Sequence, residues 1–178
     1  MPDGTFLETP RLVLRDKCAD DFEFIASLYA DPLVMRWIGD GHTLSRDEVE
    51  ARFVKVLAIE SEPGHERWDA FKIVERKDDG VPVGQAGILR CAVDGRPEVE
   101  IGWWLAPFAW GHGYATEAAL ALRDFAFGAL GLDHLTVVLW AENTRSVAVA
   151  ERIGGTPLGE VEYRGKRVSG YVVRNPAS

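Results

Sequence analysis

A chain of 178 residues is long enough for one domain with a core of its own. Its 28 acidic against 20 basic residues leave a net charge of −8, which argues against an electrostatic nucleic-acid binder and is compatible with a basic or amine-bearing partner. Cys18 and Cys91 lack C-x-x-C spacing, Met1–Thr5 carries no signal-like basic and apolar pattern, and no apolar run reaches membrane length; neither a metal site, a redox pair nor a membrane anchor is expected, and the cytoplasm is the default location.

In chain order, Arg11–Arg15 alternates and predicts a first strand. Ala19–Ala30 carries Phe22, Ile25, Ala26 and Tyr29 at helical spacing after the cap candidates Asp20 and Asp21, and Asp31-Pro32 ends that helix. A second helix starts at Ser45, which has capping-box spacing to Glu48; Val49, Phe53, Val56 and Leu57 form its apolar face, and Pro63-Gly64 stops it. Strands follow at Trp68–Glu75 and Val81–Arg90 around an Asp-Gly turn, with Gly84 and Gly87 marking a bulge or a close backbone approach. After a turn at Asp94–Pro97 comes a strand over Glu98–Trp104, then a helix over about 114–128. His134–Trp140 is a nearly continuous apolar strand of the doubly buried kind. Asn143 caps a further helix ended by Gly154-Gly155, and Glu160–Tyr163 with Val168–Val173 closes the chain as a hairpin. The order implies one mixed, mostly antiparallel sheet flanked by helices, an α/β (α+β) fold filling 1–178 as a single domain with its core at about 6–173.

The stretch Trp103–Ala118 organises the rest. Gly111 and Gly113 allow a tight turn with an exposed backbone, and the helix behind it presents unpaired N–H groups and a positive dipole end, which suit a phosphate or diphosphate. A bare G-x-G also serves as a plain strand-to-helix turn. Here the residues carry a resemblance. Trp110-Gly111-His112-Gly113-Tyr114-Ala115-Thr116-Glu117-Ala118 resembles the acetyl-CoA pyrophosphate loop of the GNAT superfamily, within the ribosomal-protein N-terminal acetyltransferase-like branch. Thr9–Arg15, Asp31–Met35, Glu98–Leu105 and Glu142–Ser146 match further family segments in the same order.

The resemblance implies direct acetyl transfer from acetyl-CoA (coenzyme A) to a primary amine, on a protein N-terminus or a small molecule, with no covalent enzyme intermediate and no metal. It leaves a homodimer open. A lysine-type amine has a pKa of about 10.4 in water, so the site needs a proton acceptor, and it needs dipoles at the carbonyl oxygen. Backbone groups of Trp110, Gly111, His112, Gly113, Tyr114, Ala115 and Thr116 would take the diphosphate, with the His112 side chain reading first as a solvent-facing loop residue. Glu100, on the strand before the loop, is the candidate base, with Glu98 on the same face to hold the amine; a solvated Glu-x-Glu face is the plainer reading. Asn143 and Ser146 fall where the family contacts the pantetheine arm, and Asn143 is also a good cap. The tyrosine that many members use to protonate the leaving thiolate is absent at Ala150, which leaves Ser146 or water, and Gly155 stands where an aromatic is usual. Trp37 and Trp103 are acceptor-site candidates, though large aromatics are more often core. A degenerate acyl-CoA-binding regulator is the second reading; a nucleotide-binding module is disfavoured by the lack of a G-x-x-x-x-G-K-[ST] motif.

Overall fold

The computed structural model describes residues 4–177. A strand absent from the sequence expectation opens it: β1, Thr5–Glu8, forms a hairpin with β2, Leu12–Arg15. Its Phe6 and Leu7 are adjacent rather than alternating, so no period of two registers. A 3-10 turn at Ala19–Asp21 leads into α1, Phe22–Ala30. Asp21 is the N-cap residue of α1, but its side chain does not cap the helix: the buried carboxylate accepts from Arg15 at 2.7 Å and from the Cys18 amide at 2.8 Å. Asp31-Pro32 ends α1 as expected and at once starts a short α2, Pro32–Met35, because proline suits the first helical position and Asp31 accepts from the Leu33 amide at 2.8 Å.

The capping box predicted for α3, Arg46–Glu60, is formed: Glu48 accepts from the Ser45 amide at 2.8 Å. Val49 and Phe53 of α3 pack with Ile25 of α1 against Ile73 of β3, Ala70–Arg76. β4 is Pro82–Val93 and β5 is Arg96–Leu105. β5 starts two residues before its expected position because Asp94 (φ +48°) and Gly95 (φ +71°) make the whole turn, with positive φ at both central positions as a two-residue hairpin requires. After β5 come α4, Tyr114–Gly128, β6, His134–Leu139, and α5, Thr144–Arg152. The final hairpin is β7, Gly155–Tyr163, with β8, Lys166–Arg174. β7 starts five residues before its expected position: Pro157 and Gly159 read as loop, yet β7 is a sheet edge, where a proline and the register shift between these two residues are tolerated.

The eight strands form one sheet in the order β1-β2-β3-β4-β5-β6-β8-β7. All neighbouring pairs are antiparallel except β5 with β6. The neighbours Ile73 and Val74 in β3 point to opposite faces and join different clusters. Val74 belongs to the larger cluster, where Leu12, Ile88, Ile101 and Leu135 pack on Ala118 and Leu122 of α4. Ile73 belongs to the layer under α1 and α3. Among the described residues no helix is long and apolar enough to cross a membrane.

The close approaches expected at Gly84 and Gly87 are real. A Cβ on Gly84 would stand 2.4 Å from the Trp104 carbonyl oxygen, and one on Gly87 equally near that of Ala70. Gly87→Ala must push β3 away from β4, and is expected to cost about 1–3 kcal/mol in thermal or denaturant unfolding, the usual range for overpacking.

Candidate active site

β5 and β6 are the one parallel pair, and their pairing is confined to Glu100 opposite Thr136. Beyond that point β5 continues with β4 to Leu105 and β6 continues with β8 to Leu139, so the two strands part. A cleft of about 1330 Å³ fills the gap. Gly102, Trp103 and Trp104 line it from β5, Val138 and Trp140 from the β6 side, and Trp37 and Ile38 from the segment after α2.

The start of α4 stands at the mouth of this gap. Gly111 (φ +82°) and Gly113 (φ +79°) both occupy the left-handed region, so a side chain at either is strained. Gly113 is the N-cap of α4 and offers no side-chain cap, leaving the first-turn amides of Tyr114, Ala115 and Thr116 without one. The loop is held from behind. Glu117 accepts from Thr9 Oγ1 at 2.6 Å, from the Arg11 amide at 2.9 Å and from Arg11 Nε at 2.6 Å, while Arg11 Nη1 donates to the His112 carbonyl at 3.0 Å. Burial works to raise the Glu117 carboxyl, but the hydrogen bonds from Thr9 and Arg11 outweigh it and hold it below its ordinary value. Trp110 Nε1 donates to the Leu105 carbonyl at 2.8 Å, tying the loop to the end of β5. The charged side chains of the cleft wall are Arg11, Arg36, Arg145 and Arg152 against Glu117 and Glu142. In a chain of net charge −8 this local excess of cations favours an anion.

Of the residues singled out from the sequence, Trp37, Trp103, Trp110, Gly111, Gly113, Tyr114, Ala115, Thr116, Asn143 and Ser146 all line the cleft. His112 does not; its ring stacks on Tyr114 at 5.5 Å. Asn143 caps α5, accepting from the Ser146 amide at 3.3 Å. Glu98 is taken up by a hydrogen bond from Thr136 Oγ1 at 2.9 Å and a contact with His134 Nε2 at 2.8 Å, away from the cleft wall. Glu100 shares that face at the point where the strands part, and accepts from Tyr163 Oη at 2.5 Å. It is not in the cleft wall itself, but a Cβ on the cleft-lining Gly102 would lie 3.6 Å from Glu100 Oε1. The glycine thus leaves the carboxylate next to the cleft. Arg11, Arg36, Arg145 and Tyr163 went unassigned from the sequence. Arg11 and Arg145 sit inside matched motifs, Arg36 is the chain neighbour of the candidate Trp37, and Tyr163 lies in the final hairpin without a motif of its own.

A family model for the acetyltransferase (GNAT) domain matches residues 11–156. The chain belongs to the GNAT acetyltransferase family. It is 28% identical over 148 residues to the uncharacterized N-acetyltransferase YoaA of Bacillus subtilis, covering 83% of this chain and 81% of YoaA. A crystal structure of an acetyltransferase from Agrobacterium tumefaciens superposes with a TM-score of 0.77 at 32% identity, covering 95% of this chain and 94% of the other. The Vibrio cholerae spermidine N-acetyltransferase, solved with CoA and spermine, shares the fold with a TM-score of 0.69 at 21% identity, covering 93% and 96%. Against the GNAT pattern, the two departures have structural settings: Ala150 is fully buried in the main core cluster, and a Cβ on Gly155 would stand 2.6 Å from the Ala150 carbonyl oxygen, so no aromatic fits there.

Burial raises the Glu100 carboxyl, against the Tyr163 hydrogen bond and the charge of Arg164, which pull it down. A raised carboxyl contributes stability that is fully present below its unfolded value and lost as pH rises through its folded value. At neutral pH, above the ordinary carboxylate value, Glu100 therefore contributes less stability than in acid. Glu100→Gln keeps an acceptor for Tyr163 and is expected to raise the unfolding midpoint at pH 7–8, each kcal/mol being worth about 2–4 °C in a chain of this size. The gain should vanish below about pH 4, where the wild-type carboxyl is protonated as well. Thermal unfolding of both proteins across pH checks the sign; a gain that grows toward acid contradicts it.

Proposed function

We propose that the protein is an acetyl-CoA-dependent N-acetyltransferase that moves an acetyl group directly to a primary amine, on a peptide N-terminus or a small molecule. One observation carries this reading: a left-handed double-glycine loop with uncapped helix amides, flanked by arginines, at the mouth of the cleft opened between β5 and β6. The amides of about Gly111–Thr116 would hold the diphosphate, assisted by Arg145, which lies 4.6 Å over the Trp110 ring. Bound acetyl-CoA supplies the activated acyl thioester. Placement of the chain in the ribosomal-protein-like branch rests on its sequence motifs.

The remaining chemistry falls to the chain's own residues. Glu100 is the proposed proton acceptor: burial moves its carboxyl toward the working pH, which favours a general base, and Gly102 leaves Oε1 near the cleft. Tyr163 orients it. Ser146, at the start of α5 on the cleft wall, is the proposed proton source for the departing thiolate, sharing that role with solvent. The unpaired strand edges beyond Glu100 and Thr136 offer backbone dipoles. The non-catalytic reading is not favoured, because it gives a buried carboxylate at the strand junction nothing to do.

Coenzyme A is expected to bind with micromolar affinity, about −8 kcal/mol. Gly113→Val places a β-branched residue at φ +79° and should abolish measurable calorimetric binding in a folded protein; unchanged binding would overturn the loop assignment. In an acetyl-transfer screen over amine classes, Glu100→Gln should lower turnover by about 10²-fold with coenzyme A affinity kept. Near-normal turnover would remove Glu100 from the mechanism.

A further inference from the structure

A second cavity, of about 200 Å³, lies under α1 and α3 on the sheet face away from α4. Its walls are largely apolar, with Ile25, Phe53, Val56, Phe71 and Leu89 among them. Trp104 lines both this cavity and the cleft. Its ring meets that of Phe71 edge-on, with centroids 4.3 Å apart, and Phe71 in turn lies 3.1 Å from where a Cβ on the cleft-lining Gly102 would be. The cavity and the cleft therefore adjoin at Phe71, Gly102 and Trp104, the same glycine that borders Glu100.

Two buried polar atoms of the wall have no hydrogen-bond partner: Gln85 Nε2 and His65 Nε2. Gln85 is 3% exposed and stands directly across the β4–β5 ladder from Trp104. An unpaired buried N–H is costly, so a retained one points to a partner that arrives with a ligand. The charged groups of the wall are already engaged. Lys17 pairs with Glu60 at 2.6 Å, Asp69 with Arg90 at 3.0 Å, and Arg52 lies over the Tyr29 ring at 5.5 Å. Neither carboxylate of the wall is left for a second ammonium.

We infer that this cavity receives the body of the amine acceptor, an uncharged aromatic or branched aliphatic group bearing an oxygen that accepts the Gln85 N–H. The inference rests on the acetyltransferase reading and narrows its acceptor. Apolar cavities of about 150 Å³ take a benzene ring, so this one has room for a ring with a substituent. The amine then lies at the Gly102 junction beside Glu100, and the oxygen at the Gln85 end. A polyamine fits poorly, having no oxygen for Gln85 and no free carboxylate for its far charge.

Calorimetry on the full chain saturated with coenzyme A tests this, with tyramine, phenethylamine and spermidine as probes. Tyramine is expected to bind about tenfold more tightly than phenethylamine, a factor that one hydrogen bond supplies, and spermidine more weakly than either. Val56→Trp, at a half-buried position on α3, should fill the cavity and weaken tyramine by about tenfold or more. Gln85→Leu should erase the advantage of tyramine over phenethylamine. Coenzyme A binding measured on the same samples reports whether each variant is folded and tests the acetyltransferase reading separately, since loss of coenzyme A binding by the wild-type protein would overturn that reading. With coenzyme A bound normally, three results overturn the cavity assignment: no tyramine binding, tyramine affinity indifferent to both substitutions, or a preference for spermidine.

Discussion

The parallel pairing of β5 and β6, held at Glu100 and Thr136 and released beyond, is the constraint on which the site depends. Parallel neighbours cannot be joined by a hairpin, so a crossover must leave the end of β5 and return to the start of β6. Here that crossover is α4, and its N-terminus necessarily opens where the strands separate. Uncapped amides and a widening cleft thus meet in one place for topological reasons. The same parting leaves strand edges from 102 to 105 and from 137 to 139 facing each other across the gap.

A loop built on two left-handed glycines would be loose by itself, and the chain ties it down from a distance. The turn between β1 and β2 brings Thr9 and Arg11 onto Glu117, three residues into α4. An acid in the first helical turn already suits the dipole; here it also serves as the anchor. Because Glu117 is mostly sheltered while Arg11 is half exposed, the contact gains more from its geometry and hydrogen bonds than from bare charge attraction. Arg11 then reaches on to the His112 carbonyl and links the opening hairpin to the loop. The arginines of the cleft wall oppose the acidic balance of the whole chain, which concentrates anion affinity at this mouth.

Alternation along β5 assigns the two sides of the sheet different tasks. Ile101, Trp103 and Leu105 turn toward the α4 layer, while Glu98, Glu100 and Trp104 turn toward α1 and α3. Gly102 interrupts the second series, and the Phe71 ring, edge-on to Trp104, takes the space its side chain would fill. Burial that raises the Glu100 carboxyl also raises the Tyr163 hydroxyl, which the neighbouring carboxylate pushes further, so the tyrosine stays a donor and the glutamate an acceptor. Cys91, on the same face, is pushed up to about 11 by burial and by Glu100 and Glu98, which keeps it a thiol.

The sequence by itself determined what depends on local rules. The Ser45–Glu48 box, the Asp31-Pro32 boundary, the Asn143 cap and the loop glycines each act within a few residues, and so were legible as written. Period-two and period-3.6 patterning located most strands and helices, and failed at β1, whose Phe6 and Leu7 are adjacent rather than alternating, and at β7, whose proline and glycine are tolerated only because it is an edge. Tertiary structure gave two similar glutamates different surroundings. Glu98 and Glu100 look alike along the chain, yet Thr136 and His134 from β6 take up one, and Tyr163 from β7 holds the other beside Gly102. It also decided that the opening Thr9–Arg11 turn is the anchor of a loop a hundred residues away, and that Gln85 ends buried without a partner. These contacts join strands brought together by sheet order and register, and neither is encoded in any local stretch of residues.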